Sequence, residues 1–206
     1  MRTWIKVVAG AALAAVAVPA QAQISVVPKI GFYSPAADLE AAREAAGEIV
    51  DERGGSLALG LAAELGMFRV GFDYVTASEF TWADTTGADV EASGEQTMLA
   101  LTGDVILRPI PRILILEPYL LAGAGVKRYD FSFEDASGDT EIEEAFPESA
   151  TDFTVHAGLG VDVDVGPIAL VVELSDYVSW YEAEGADGSE MQNDLFIMAG
   201  VRVGIF

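Results

Sequence analysis

The sequence predicts an all-β protein, an eight-stranded antiparallel up-and-down transmembrane β-barrel, and three observations carry that prediction. Several short segments alternate apolar residues with small or charged ones. Long acidic connections alternate with short ones along the chain. Beyond the first 22 residues no apolar run reaches the ~20 residues a helix needs to cross a bilayer, although 51% of the chain is hydrophobic and the mean hydropathy is +0.34.

The first segment is read as an export signal. Arg2 and Lys6 precede an apolar run from Val7 to Val18, and Ala20-Gln21-Ala22 supplies a small-residue cleavage pattern. Ala20 and Ala22 are the expected cleavage residues, so 1–22 is a signal peptide and 23–206 is one barrel domain. With no cysteine, neither a disulfide framework nor a thiolate metal site is available.

Eight strands are expected at about 25–33, 56–65, 68–77, 96–107, 115–131, 152–165, 168–181 and 193–206. Alternation is clearest in three. In the second, Leu57, Leu59, Leu61, Ala63 and Leu65 oppose Ser56, Ala58, Gly60, Ala62 and Glu64. In the sixth, Phe153, Val155, Ala157, Leu159, Val161, Val163 and Val165 oppose Thr154, His156, Gly158, Gly160, Asp162 and Asp164. The last sets Leu195, Ile197, Ala199, Val201, Val203 and Ile205 against Phe196, Met198, Gly200, Arg202 and Gly204.

Four polar connections, 34–55, 78–95, 134–151 and 182–192, hold 22 acids against only Arg43 and Arg53, so they carry −20 of the net −22. Between them lie Gly66-Met67, Arg108–Arg112 and Gly166-Pro167. In a meander every second connection lies at the same end, so the acidic loops share one rim, the asymmetry of outer-membrane barrels. The acidity excludes nucleic acid as a partner, which rewards basic surfaces. In the first loop, 38–47 is composed of good helix formers and is expected to form a short helix.

The same alternation would suit a soluble lipocalin-like carrier with its aliphatic face inward. Turning that face toward lipid is favoured because the opposite face is rich in glycine and poor in lysine. Aromatics also gather near the loop ends of the strands: Phe32, Tyr33, Tyr74, Phe80, Trp82, Tyr129, Phe131, Phe153, Trp180 and Tyr181 are expected as an interfacial girdle.

With Pro118-Tyr119-Leu120-Leu121-Ala122-Gly123-Ala124-Gly125-Val126 in the fifth strand and the C-terminal Phe206, the chain resembles the small eight-stranded outer-membrane β-barrel superfamily, the OmpA/OmpW-like barrel domains. The resemblance implies a cell outer-membrane location, lipid and the barrel-assembly machinery as partners, and Phe206 as an assembly signal. Phe206 falls on the parity of Arg202 and Gly204, whereas the terminal aromatic of such proteins usually faces outward; either a bulge near the end restores the phase or the assembly signal is weak.

The inward parity carries Lys29, Glu64, Arg69, Asp73, Asp104, Glu117, Lys127, His156, Asp162, Asp164, Glu173 and Arg202. A barrel of eight strands has room for its own side chains or one small ligand, so these are expected to form a paired polar plug, with Glu64 set opposite Arg69 by the Gly66-Met67 turn. A narrow cation-preferring channel is the alternative.

Catalysis is not expected. A Ser-His-acid set drawn from His156, Ser175 or Ser179, and Glu173 needs only residue types that any polar lumen holds. The His-x-Ser pair that resemblance to lipid A deacylases would require is broken by Gly158, and the omptin-type proteases are longer. Asp162–Gly166 resembles the start of a calcium loop but lies in a strand and lacks a third acid. Asp135, Asp139, Glu141, Glu143 and Glu144 could gather divalent cations weakly. No cofactor is expected, and a closed barrel without free edges can exist as a monomer. The expected work is therefore non-enzymatic: envelope structure or surface contact through the acidic loops.

Overall fold

The computed structural model describes residues 24–35, 49–84, 91–136, 149–181 and 190–205. Nine strands occur among them: β1 (Ile24–Pro35), β2 (Ile49–Arg53), β3 (Ser56–Leu65), β4 (Phe68–Asp84), β5 (Glu91–Leu107), β6 (Leu116–Ala136), β7 (Ser149–Val165), β8 (Ile168–Tyr181) and β9 (Glu190–Gly204). They build eight staves, because β2 and β3 pair in succession with β4, β3 from Ala58 to Leu65 and β2 from Ile49 to Arg53. Each stave is antiparallel to the next, and β1 joins both β3 and β9, which closes the ring. The all-β eight-stranded barrel is therefore the fold of this chain, and closure leaves it no free edge around its girth.

Turn chemistry explains the tight ends. Gly66 and Gly166 have φ of 62° and 76°, a region that glycine enters without a Cβ clash, and Gly66-Met67 and Gly166-Pro167 are two-residue turns. Where β2 gives way to β3 at Gly54-Gly55, the β4–β5 register shifts between Val75 and Ser78. This bulge lets β4 continue beyond the point where β3 ends.

The strands are longer than the alternation predicts. Residues 49–53, 78–84, 91–95, 134–136, 149–151 and 190–192, all expected in the acidic connections, lie in strands. Backbone pairing does not require a buried face. Polar residues are accepted wherever a strand does not have to present an apolar face, so the ladder continues while the apolar period disappears. Residues 1–23, including Ala20 and Ala22, lie outside the described residues, as do the proposed helix at 38–47, Asp139, Glu141, Glu143, Glu144 and Phe206.

Burial alternates with the strands. Ala58, Ala62 and Glu64 of β3 are buried, while Leu57, Leu59 and Leu61 are exposed. On β8 Val171, Glu173, Ser175 and Tyr177 are buried, and Leu170, Val172 and Leu174 are exposed. The aliphatic face is thus outside, the reverse of a soluble carrier. Phe32, 71% exposed, with Phe153 and Trp180, belongs to this outer face. Tyr33 and Tyr129 do not: both are buried in the lumen, a correction to the girdle, because a tyrosine hydroxyl there finds a carboxylate partner.

Candidate functional site

The lumen is the place where this fold concentrates chemistry. At the short-turn end, Glu64 and Arg69 flank the Gly66-Met67 turn and face each other in register. Arg69 donates to Glu64 Oε1 from Nε at 2.9 Å and Nη2 at 2.7 Å, and to Glu173 Oε2 from Nη1 at 2.5 Å. Lys29 Nζ donates to Glu173 Oε1 at 2.9 Å and lies 3.3 Å from Asp73. Tyr119 adds a third donor to Glu173 at 2.8 Å. Arg202 donates to Glu64 Oε2 at 2.8 Å and pairs with Asp162. Glu64 and Glu173 are thus each shared by two cations. This is the arrangement that makes buried charge tolerable, since an unpaired ion there costs several kcal/mol.

Deeper in the lumen, His156 Nδ1 lies 2.9 Å from Asp104 Oδ1, and Thr102 donates to the other oxygen of Asp104 at 3.0 Å. The imidazole stacks on Tyr177 with centroids 4.1 Å apart, and the Tyr177 hydroxyl donates to Asp73. Toward the loop end, Asp194 accepts from Tyr33 at 2.6 Å and also from Tyr129 and Lys127. One apolar cluster contains Val75, Met98, Phe196, Met198 and the rings of Tyr33, Tyr129 and Tyr177; from it Tyr33 and Tyr129 reach Asp194 and Tyr177 reaches Asp73.

Of the residues singled out in the sequence, Lys29, Glu64, Arg69, Asp73, Asp104, Lys127, His156, Asp162 and Glu173 are buried here. Arg202 is partly buried. Glu117 and Asp164 sit outside the plug, at the mouth of a cavity of about 670 Å³ at the short-turn end, also lined by Arg108, Arg112 and Asp162. There Arg108 and Arg112 approach Glu117 at 3.5 and 3.6 Å, and Arg112 pairs with Asp164. Glu173 is not brought to His156; its partners are cations and Tyr119, and the acid at the histidine is Asp104. Asp194, central to the loop-end cluster, was missed, although its parity with Phe196 and Met198 was a usable signal. Among the described residues, no three His, Asp or Glu side chains converge in a way that could hold a metal ion.

Among the described residues, the side chains that line the lumen are packed against one another. A water-filled passage would leave accessible area on the side chains that line it, yet Lys127, Thr154, Ser179 and Asp194 have 0%. The cavity at the short-turn end reaches in as far as Arg202, Glu64 and Asp162, which also line it.

The chain is similar to the crystal structure of Neisserial surface protein A, at 14% identity, over 88% of this chain and 97% of that one, with a TM-score of 0.51. It is also similar to outer membrane protein OprG from Pseudomonas aeruginosa, at 13% identity, over 89% and 98%, with a TM-score of 0.56. No family model and no curated protein matches it.

Proposed function

We propose that this chain, which has the fold of the small eight-stranded outer-membrane β-barrels, is a non-enzymatic protein of the cell outer membrane with a sealed lumen. After export and removal of 1–22, the barrel-assembly machinery inserts it with Phe206 as the signal, as a monomer. It contributes envelope structure, and its four acidic loops face outward to meet partners and divalent cations.

The observation that carries this reading is the inversion of polarity: aliphatic side chains outside, and an ion-paired, hydrogen-bonded interior. Apolar surface spread over every stave is unfavourable in water and favourable against lipid tails. The paired lumen supports a structural role over a channel, since conduction needs hydrated space that the buried Lys127–Asp194 group does not leave. Planar-bilayer recordings of the refolded full-length barrel test this. Sustained incorporation without conductance steps is the expected result, and steady cation-selective steps would overturn the sealed-lumen reading.

A further inference from the structure

The β5–β6 connection does not look like a turn made for water. Its sequence is Arg108-Pro-Ile-Pro-Arg-Ile-Leu-Ile115, and Ile110, Ile113, Leu114 and Ile115 are all exposed. Ile113 and Leu116 exchange backbone hydrogen bonds at 2.9 and 3.0 Å, which places Leu114 and Ile115 at the tip of a two-residue hairpin. Leu114 is 91% exposed and has φ of 58°. That left-handed position favours glycine or asparagine. A turn that only connected two strands would be more relaxed with either, so a leucine held there, bare, points to an apolar neighbour that the barrel itself does not supply.

Two further features identify that neighbour. The apolar tip is continuous with the outer aliphatic belt through Leu107 and Leu116, both exposed at the adjoining strand ends. The tip also stands beside a polar level: Arg108 and Arg112 flank it and pair with Glu117 and Asp164 at the lumen mouth, so the chain passes within a few residues from a charged group, suited to the lipid headgroup region, to a bare apolar tip, suited to hydrocarbon. The hairpin is held in place, because Asp164 N donates to Ile115 O at 2.9 Å and Arg112 pairs with Asp164.

We infer that the Ile113–Leu116 hairpin is a membrane hook, seated in the phospholipid leaflet at the short-turn end, with the ion-paired Arg108, Arg112, Glu117 and Asp164 at headgroup level. The inference rests on the outer-membrane reading above and adds to it a specific lipid contact where a solvated turn would be expected.

The chain has no cysteine, so Leu114→Cys gives a unique site for an environment-sensitive NBD label. The labelled full chain is reconstituted in phosphatidylethanolamine/phosphatidylglycerol vesicles, with Leu159→Cys on the outer belt and Ser149→Cys at the loop end as references. Ile113→Cys serves as a second tip probe if the first variant fails to fold. The hook predicts that spin-labelled lipid quenches the tip probe as strongly as the probe at 159. Iodide should quench it several-fold less than the probe at 149. Iodide quenching equal to that at 149 would overturn the hook while leaving the barrel reading intact, provided the probe at 159 is lipid-quenched. Shielding from both quenchers would also overturn it, by indicating a protein cover such as a second copy. If the probe at 159 itself escapes lipid quenching, the membrane reading falls and the hook falls with it.

Discussion

Glu173 illustrates how single side chains stabilise this lumen. It accepts hydrogen bonds from Lys29, Arg69 and Tyr119. Glu173→Gln keeps the shape but strips the charge that both cations share. Breaking a buried pair by altering one partner costs about 3–5 kcal/mol, so the urea midpoint for unfolding from vesicles is expected to fall by that equivalent. Arg128→Ala is the control: Arg128 and Asp130 pair at 2.7 Å, but both side chains are half exposed, and solvent screening makes such pairs weak. The midpoint of Arg128→Ala should barely move. Equal losses in the two variants would contradict a lumen held together by buried pairing. The pairing itself was only partly legible in the sequence. Glu64 and Arg69 are joined by a two-residue turn, which sets their register, whereas Asp104 reaches His156 only because β5, β6 and β7 are neighbours around a closed ring. Period-2 alternation gives a side chain's face, not its partner across the lumen.

Strand β7 and its neighbours show a second constraint. Tyr119 stands opposite Gly160 in register, and a Cβ at Gly160 would run into the Tyr119 ring. The missing side chain is therefore the space that the tyrosine occupies on its way to Glu173. Gly125 is tighter still, since a Cβ there would meet the Leu101 carbonyl of the adjoining strand. Gly103, on the outer face of β5, has nothing within 4 Å of that position. Gly125→Ala and Gly160→Ala are expected to lower stability by about 1–3 kcal/mol, as overpacking does, and to reduce the fraction that refolds. Gly103→Ala should refold like the unaltered chain, and gel-mobility refolding yields compare the three. Parallel losses at 103 and 125 would refute the packing argument. The alternation of β3, β7 and β9 was plain in the sequence because one face is aliphatic and turned outward while the other is small or polar and turned inward. The extensions of β4, β5 and β6 were not, since Glu79, Thr81, Asp84, Glu91, Ser93, Glu95, Glu134 and Asp135 interrupt the apolar alternation in the sequence and leave no period to read.

At the scale of the whole molecule, what distinguishes this chain from a soluble barrel is the direction in which its apolar face points. The eight staves and the outward aliphatic belt were legible from alternation and from the placement of 22 acids in four segments. The packing inside the barrel depends on how Met98, Phe196, Met198 and the three tyrosines come together, which no linear pattern specifies. The exposed apolar area also makes a firm demand: without lipid or detergent to cover it, the folded barrel would aggregate. The most direct test is fractionation of cells expressing the full-length chain, with mobility of the membrane fraction compared before and after boiling. An outer-membrane band that migrates differently in the two samples is the expected result, as for a barrel that resists unheated detergent. A soluble periplasmic protein with unchanged mobility would contradict it.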